Sequence, residues 1–121
     1  MKKTIWISYD FGLKGDHEGL YRWLDENNAE ERGYGMALIK NFNFPKKYIS
    51  DRRTDEIFTS VIKKQIKDYT KIEKGDRIYM IWKGIDDSKL KGKFLFGNKK
   101  NAPWTGYSQG DNDFIDTEVD G

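Results

Sequence analysis

Alternating side chains mark the beginning of the sequence. Residues 4–10 divide into two sets that a half-buried strand would send to opposite faces of a sheet. The more apolar set is Ile5, Ile7 and Tyr9. The other set is Trp6, Ser8 and Asp10. The pattern predicts a first strand whose apolar set faces a core, while the second set lies on the other side of the sheet.

Two later stretches have the spacing of amphipathic helices. Asp16 is suited to cap a helix over residues 17–27, with an inward stripe of Leu20, Trp23 and Leu24. Thr54 is suited to cap a second helix, whose first turn carries acidic residues where the helix dipole favours them. Its predicted inward face is Ile57, Phe58, Val61, Ile62, Ile66 and Tyr69.

Three more stretches predict strands, at residues 36–42, 77–83 and 90–96. The last two are joined by the turn sequence GIDDSK, which favours a hairpin. Pro45 follows the first of them and allows only an edge strand or a turn there.

This order of elements predicts an α+β fold. We expect a ferredoxin-like sandwich, with two helices on one face of a mainly antiparallel sheet of four to five strands. Residues 1–110 would form this single domain. The other sheet face would stay open, and Trp6 and Ser8 on it would form an interface with a second subunit or a ligand.

Composition narrows the classes of function. The 121 residues include no cysteine, which excludes disulfides, thiolate metal sites and cysteine nucleophiles. No run approaches the roughly 20 apolar residues of a membrane span, and we expect a cytoplasmic protein without a membrane partner. The net charge is +2, but residues 111–121 hold five acids and no base. This stretch predicts a separate acidic C-terminal tail.

The stretches IWISYD, VIKKQIKDYTKI and DRIYMIW, in this order, resemble the small CRISPR-associated subunit of the spacer-integration complex. The related virulence-associated D toxins share the same plan. The resemblance covers roughly residues 3–83, and its sharpest element is the triplet Ser8-Tyr9-Asp10. It implies a ferredoxin-like homodimer and a nuclease in which Asp10 of each subunit is the catalytic ligand of a divalent metal.

Asp10 is therefore the candidate catalytic and metal-binding residue, for Mg²⁺ or Mn²⁺. Magnesium is commonly held by one or two carboxylates together with waters and substrate phosphates. The alternative is an aspartate that ends a strand by bonding nearby backbone amides. The only histidine, His17, has the chemistry of a general base, but it also suits the surface of a helix.

The stretch LKGKFLFGNKKNAPWTGY interleaves cations with aromatic rings. Proteins hold single-stranded nucleic acid in this way, with cations on phosphates and rings on bases. The predicted nucleic-acid-binding residues are Lys91, Lys93, Lys99, Lys100, Trp104 and Tyr107. The alternative is a hairpin whose aromatic side chains are core and whose lysines protect an exposed strand edge.

The leading functional hypothesis is a homodimer that engages nucleic acid, with Asp10 in a metal-dependent endonuclease. One alternative is a non-catalytic interaction module, such as a phage or mobile-element regulator that binds a host protein through the open sheet face. Another is a small-ligand binder that uses the basic C-terminal hairpin. The sequence leaves open whether the protein is an enzyme.

Overall fold

Five strands and two helices form the described part of the chain. The computed structural model describes residues 1–49 and 52–108. The strands are β1 (Lys2–Asp10), β2 (Glu30–Glu31), β3 (Met36–Asn43), β4 (Arg77–Lys83) and β5 (Leu90–Phe96). The helices are α1 (His17–Glu26) and α2 (Thr54–Tyr69). The acidic tail predicted at residues 111–121 lies outside the described residues.

The strands form one antiparallel sheet in the order β2-β3-β1-β4-β5. β1 is the central strand, and its Ile7 lies opposite Ala37 of β3 and Met80 of β4. The chain order β1-α1-β2-β3-α2-β4-β5 gives the ferredoxin-like arrangement, with β5 added at one edge. The predicted fold class is confirmed, with five strands.

The core fills the space between the sheet and both helices. Ile5 and Ile7 of β1 are fully buried there, as the alternation predicted, together with residues of α1 and α2. Phe58 of α2 is at its centre and makes edge contacts with the rings of Phe42, Phe44 and Trp82. Because the two helices share this core, they lie on the same face of the sheet.

The start of α1 is tied to the end of α2. Asp16 caps α1 as predicted, since its carboxylate accepts the Gly19 N–H at 2.9 Å. The same carboxylate accepts the Lys71 N–H at 2.8 Å, just beyond α2. Gly19 is required at this contact, because a Cβ there would collide with the Tyr69 carbonyl and the Asp16 carboxylate.

Two local predictions need correction. Thr54 is not the cap of α2 but its first residue, and Arg53 precedes it as the cap. At the start of this helix, the Asp55 N–H donates to the Asp86 carboxylate of the β4–β5 turn at 3.1 Å. A segment distant in the sequence therefore supplies the capping group. α1 ends at Glu26, one residue before the predicted end. The stretch after Pro45 forms a 3₁₀ turn, Lys46–Tyr48, so of the two alternatives predicted there the turn is the one that forms.

Candidate functional site

One face of the sheet carries no helix in the part of the chain that the structure describes. The strand register places Trp6 opposite Ile81 and Leu38, and it places Asp10 opposite Arg77. We call this surface the open face. Its residues are Trp6, Ser8, Asp10, Met36, Leu38, Arg77, Tyr79, Ile81 and Phe94.

Three aromatic side chains lie on three neighbouring strands of the open face. Trp6 of β1 is 37% exposed, which is unusual for so large an apolar side chain in a central strand. The rings of Tyr79 and Phe94 meet edge to face at 4.7 Å between centroids. Gly92 makes room for Tyr79, since a Cβ at this position would collide with the phenol ring. Trp6 and Ser8, the predicted interface residues, therefore lie on the open face, and what they contact stays a prediction.

Asp10 lies at one end of the open face. The Arg77 guanidinium donates to the Asp10 carboxylate at 2.9 Å. This hydrogen bond lowers the pKa of Asp10, and the charge of Lys100 adds to the effect. The carboxylate is therefore ionised, and its side chain is 60% exposed. It is accessible from solvent, but a cation would compete with Arg77 for it.

The donor set at Asp10 fits a metal only in part. Within residues 1–49 and 52–108, no three His, Cys, Asp or Glu side chains group together in a way that could hold a metal ion. One chain brings Asp10 and Glu31 to the lining of the same cavity, whereas the magnesium site that the resemblance implies pairs Asp10 with a second copy of Asp10. The metal hypothesis therefore depends on the dimer hypothesis.

The predicted nucleic-acid-binding residues do not form one continuous surface. Lys91 pairs with Asp55 at 2.8 Å and with Asp87 at 3.4 Å, so its charge is already engaged. Lys93 lies opposite the core residue Met80, which places it on the helix side of β5. The alternation along β5 thus separates both lysines from Phe94 on the open face.

The other four predicted residues follow β5. Gly97, just after β5, packs against Arg77, and Lys100 is near enough to lower the pKa of Asp10. This segment therefore returns toward the Asp10 end of the open face. Trp104 and Tyr107 are exposed in the turns beyond it. Lys99 and Lys100 are exposed as well. These residues therefore stay candidates for contacts that extend the open face.

His17 belongs to an aromatic cluster that the sequence reasoning missed. Its ring contacts those of Phe11 and Tyr21, and both of these contact Tyr9. Burial and a hydrogen bond with Tyr21 raise the pKa of Tyr9 to about 12. The available signal was the helical spacing of His17 and Tyr21 together with the pair Tyr9 and Phe11 at the end of β1. These rings line a cavity of about 600 Å³.

The fold and the site thus define a ferredoxin-like domain with an aromatic sheet face that no helix of residues 1–49 and 52–108 covers. No protein-family model matches the chain, and no curated protein and no solved structure matches it either. Across residues 1–49 and 52–108, neither helix has the length and apolar character that crossing a membrane requires.

Proposed function

We propose that this protein binds single-stranded nucleic acid across its open face. The observation that carries the proposal is the placement of Trp6, Tyr79 and Phe94 on three adjacent strands of the open face. Sheets of this kind bind single strands by stacking unpaired bases on exposed aromatic rings. Such stacking tolerates many sequences, because every base has a π face.

Cations near the open face support the proposal. Arg77 lies on the face itself, and Lys83 follows on the same side of β4, opposite Leu90. Lys99 and Lys100 follow β5, and the charge of Lys100 is near enough to lower the pKa of Asp10. When an oligonucleotide lies on the three rings, its phosphates would contact these cations at the margin of the open face. The negative charge of Asp10 would oppose this contact.

A salt titration tests the electrostatic part of the proposal. We expect the affinity for a fluorescent single-stranded oligonucleotide to fall as salt rises, because binding releases counterions from phosphates. Replacing both Lys99 and Lys100 by serine should reduce the slope of log K against log salt by about 1.4. The control is the same double change at Lys64 and Lys67 on α2, which should leave the slope unchanged. A slope that is equal in all three proteins would refute the role of these lysines.

Hydrolysis of the bound strand is the second candidate function. It is favoured by the exposed, ionised Asp10 carboxylate at the end of the open face. In this proposal the protein is a homodimer, and Asp10 of each copy contributes to a Mg²⁺ or Mn²⁺ site. We expect cleavage of RNA or DNA that requires one of these ions and disappears in Asp10→Asn while oligonucleotide binding persists. Cleavage that survives in this variant would remove Asp10 from the reaction.

A protein partner on the open face is the remaining candidate, as a second copy of this chain or a host protein. The partly exposed Trp6 lies between Leu38 of β3 and Ile81 of β4, so the centre of the face is apolar, which suits such a contact. Salt separates the two readings, because association through apolar surface does not weaken steeply with salt. A solution mass of two chains that is lost in Trp6→Ala would favour the homodimer.

A further inference from the structure

A second candidate site lies where β1 ends. The cavity of about 600 Å³ shares Ser8 and Asp10 with the open face, but its other walls come from α1 and from the turn between β2 and β3. A volume of this size is typical of pockets for small molecules or single side chains. The proposed function does not use these other walls.

Four rings form one wall of the cavity. Successive centroids around the circuit of Tyr9, Phe11, His17 and Tyr21 are 5.4 to 6.2 Å apart, and the ring planes are inclined by 58° to 72°. Each ring is held by two others, so the wall is preorganised. Aromatic faces attract cations, and arginine stacks on them because its guanidinium is planar.

The cavity offers hydrogen-bond acceptors rather than positive charge. Its described lining includes Glu31 and Asp10 but no lysine or arginine. The His17 Nδ1 lies 3.1 Å from the Gly15 carbonyl oxygen, which can only accept, so this nitrogen must donate. In the neutral imidazole, Nε2 is then an acceptor. The ligand that suits such a lining is a donor with positive charge.

Glu31 is the acid that is left for a ligand. Asp10 is already paired with Arg77, and Arg32 is paired with Glu30. Glu31 accepts the Gly33 N–H at 2.6 Å through Oε1, and within the described ranges no lysine or arginine pairs with it. Its carboxylate can therefore accept from a ligand inside the cavity.

Tyr34 adds an aromatic group at the rim. It lines the cavity from the β2–β3 turn, between Gly33 and Gly35, which both have positive φ angles. The side chain is fully exposed, so its ring contributes nothing to the core. A ring in this position can close over a ligand that lies against the aromatic wall.

We propose that this cavity binds a guanidinium group, which stacks against the aromatic rings and donates to the Glu31 carboxylate. Phosphate-bearing ligands are disfavoured, because they would meet two carboxylates and no cation in the described lining. The guanidinium belongs either to a free small molecule or to an arginine side chain of a polypeptide. Both sources offer the same donors and the same planar charge.

The single histidine makes the test direct, because the imidazole signals of an untagged chain belong to His17 alone. We expect acetyl-arginine-amide to shift these NMR signals, and we expect the shift to reach a plateau as the ligand concentration rises. Acetyl-citrulline-amide has nearly the same shape without the charge and should cause no saturable shift. An Arg-containing tripeptide that binds more tightly than the single capped residue would identify a polypeptide source, whereas equal binding would identify a small molecule.

Two variants locate the binding contacts. Glu31→Gln should weaken binding about 10-fold or more, since it replaces a charged carboxylate with two acceptor oxygens by a neutral amide with one. Tyr34→Ala should weaken it about 2- to 5-fold through the lost ring contact. Glu56→Gln makes the same chemical change on α2, outside the cavity, and should have no effect. Equal binding of arginine and citrulline, no saturable shift, or unchanged binding in Glu31→Gln would overturn the proposal.

Discussion

Asp55→Ala should lower the free energy of unfolding by about 3–5 kcal/mol, because it removes the acceptor of three N–H donors, and each buried donor left unsatisfied costs roughly 1–3 kcal/mol. Proteins of this size have roughly 5–15 kcal/mol in total, so the variant would retain only part of its stability. Urea denaturation followed by far-UV circular dichroism measures the change. This is the largest stability effect that we expect from a single polar substitution in this protein.

The reason is that Asp55 joins three elements. The residue is only 7% exposed at the start of α2. Its carboxylate accepts the Trp82 indole N–H at 2.9 Å, the Ile85 N–H at 2.8 Å and the Asp86 N–H at 3.1 Å. It also accepts from the Lys91 ammonium at 2.8 Å. Removing it leaves the Trp82, Ile85 and Asp86 N–H donors without this acceptor, and it leaves the partly exposed Lys91 with Asp87 as its remaining partner.

The effect should depend on pH. Burial by itself would raise the pKa of Asp55, but hydrogen bonds from Ile85, Lys91, Trp82 and Asp86 hold this pKa well below its usual range. The stabilising carboxylate is therefore fully present above the unfolded pKa of about 3.9, and its contribution is lost as the pH falls below that value. The stability difference between the wild type and Asp55→Asn should shrink between about pH 5 and pH 2.

Asp87 is the matched control for Asp55. It also pairs with Lys91, at 3.4 Å, but its side chain is 42% exposed. Asp87→Asn removes the same charge from the same lysine and should cost less than about 1 kcal/mol. Equal losses at the two positions, or an Asp55 effect that does not vary with pH, would contradict the assigned role.

Trp6→Ala should weaken binding of a single-stranded oligonucleotide by about 5- to 150-fold, because base stacking on an aromatic side chain contributes about 1–3 kcal/mol. Trp6 is on β1, the central strand of the sheet. An oligonucleotide that crosses the open face would therefore contact Trp6 in either orientation. Fluorescence anisotropy at fixed salt measures the affinity. Urea denaturation of the variant checks that the fold is retained.

Ile49→Ala is the control for Trp6. Ile49 is also an exposed large apolar residue, but it follows the 3₁₀ turn and lies outside the open face. We expect the Ile49→Ala variant to bind the oligonucleotide with the affinity of the wild type. A stably folded Trp6→Ala protein with unchanged affinity would exclude stacking on this residue.

Local patterns predicted the strands and helices well. Strict alternation placed Ile5 and Ile7 in the core and Trp6 on the other face, because side chains in a strand point alternately to the two sides. The apolar runs at residues 77–83 and 90–96 match β4 and β5. The two residues of β2 escaped prediction because Glu30 and Glu31 carry no apolar pattern, and only pairing with β3 makes them a strand.

Contacts between distant segments were beyond the sequence pattern. In the sequence, Asp55 looks like an ordinary acidic residue of a first helical turn. Its hydrogen bonds to Trp82 and Lys91 form only when β4 and β5 pack against α2. The aromatic cluster around His17 likewise requires β1 and α1 to meet at a particular angle. The sequence grouped Lys91 and Lys93 with the aromatic residues of the same stretch, whereas alternation in β5 places them on the helix side.

The most direct test of the account is to map a bound oligonucleotide by amide chemical shifts in the full chain. We predict that the perturbed amides cluster on β1, β4 and β5 around Trp6, Tyr79 and Phe94, with α2 unaffected. Perturbations confined to the helical side, or none at oligonucleotide concentrations that saturate other single-strand binders, would contradict the assignment of the open face as the binding surface.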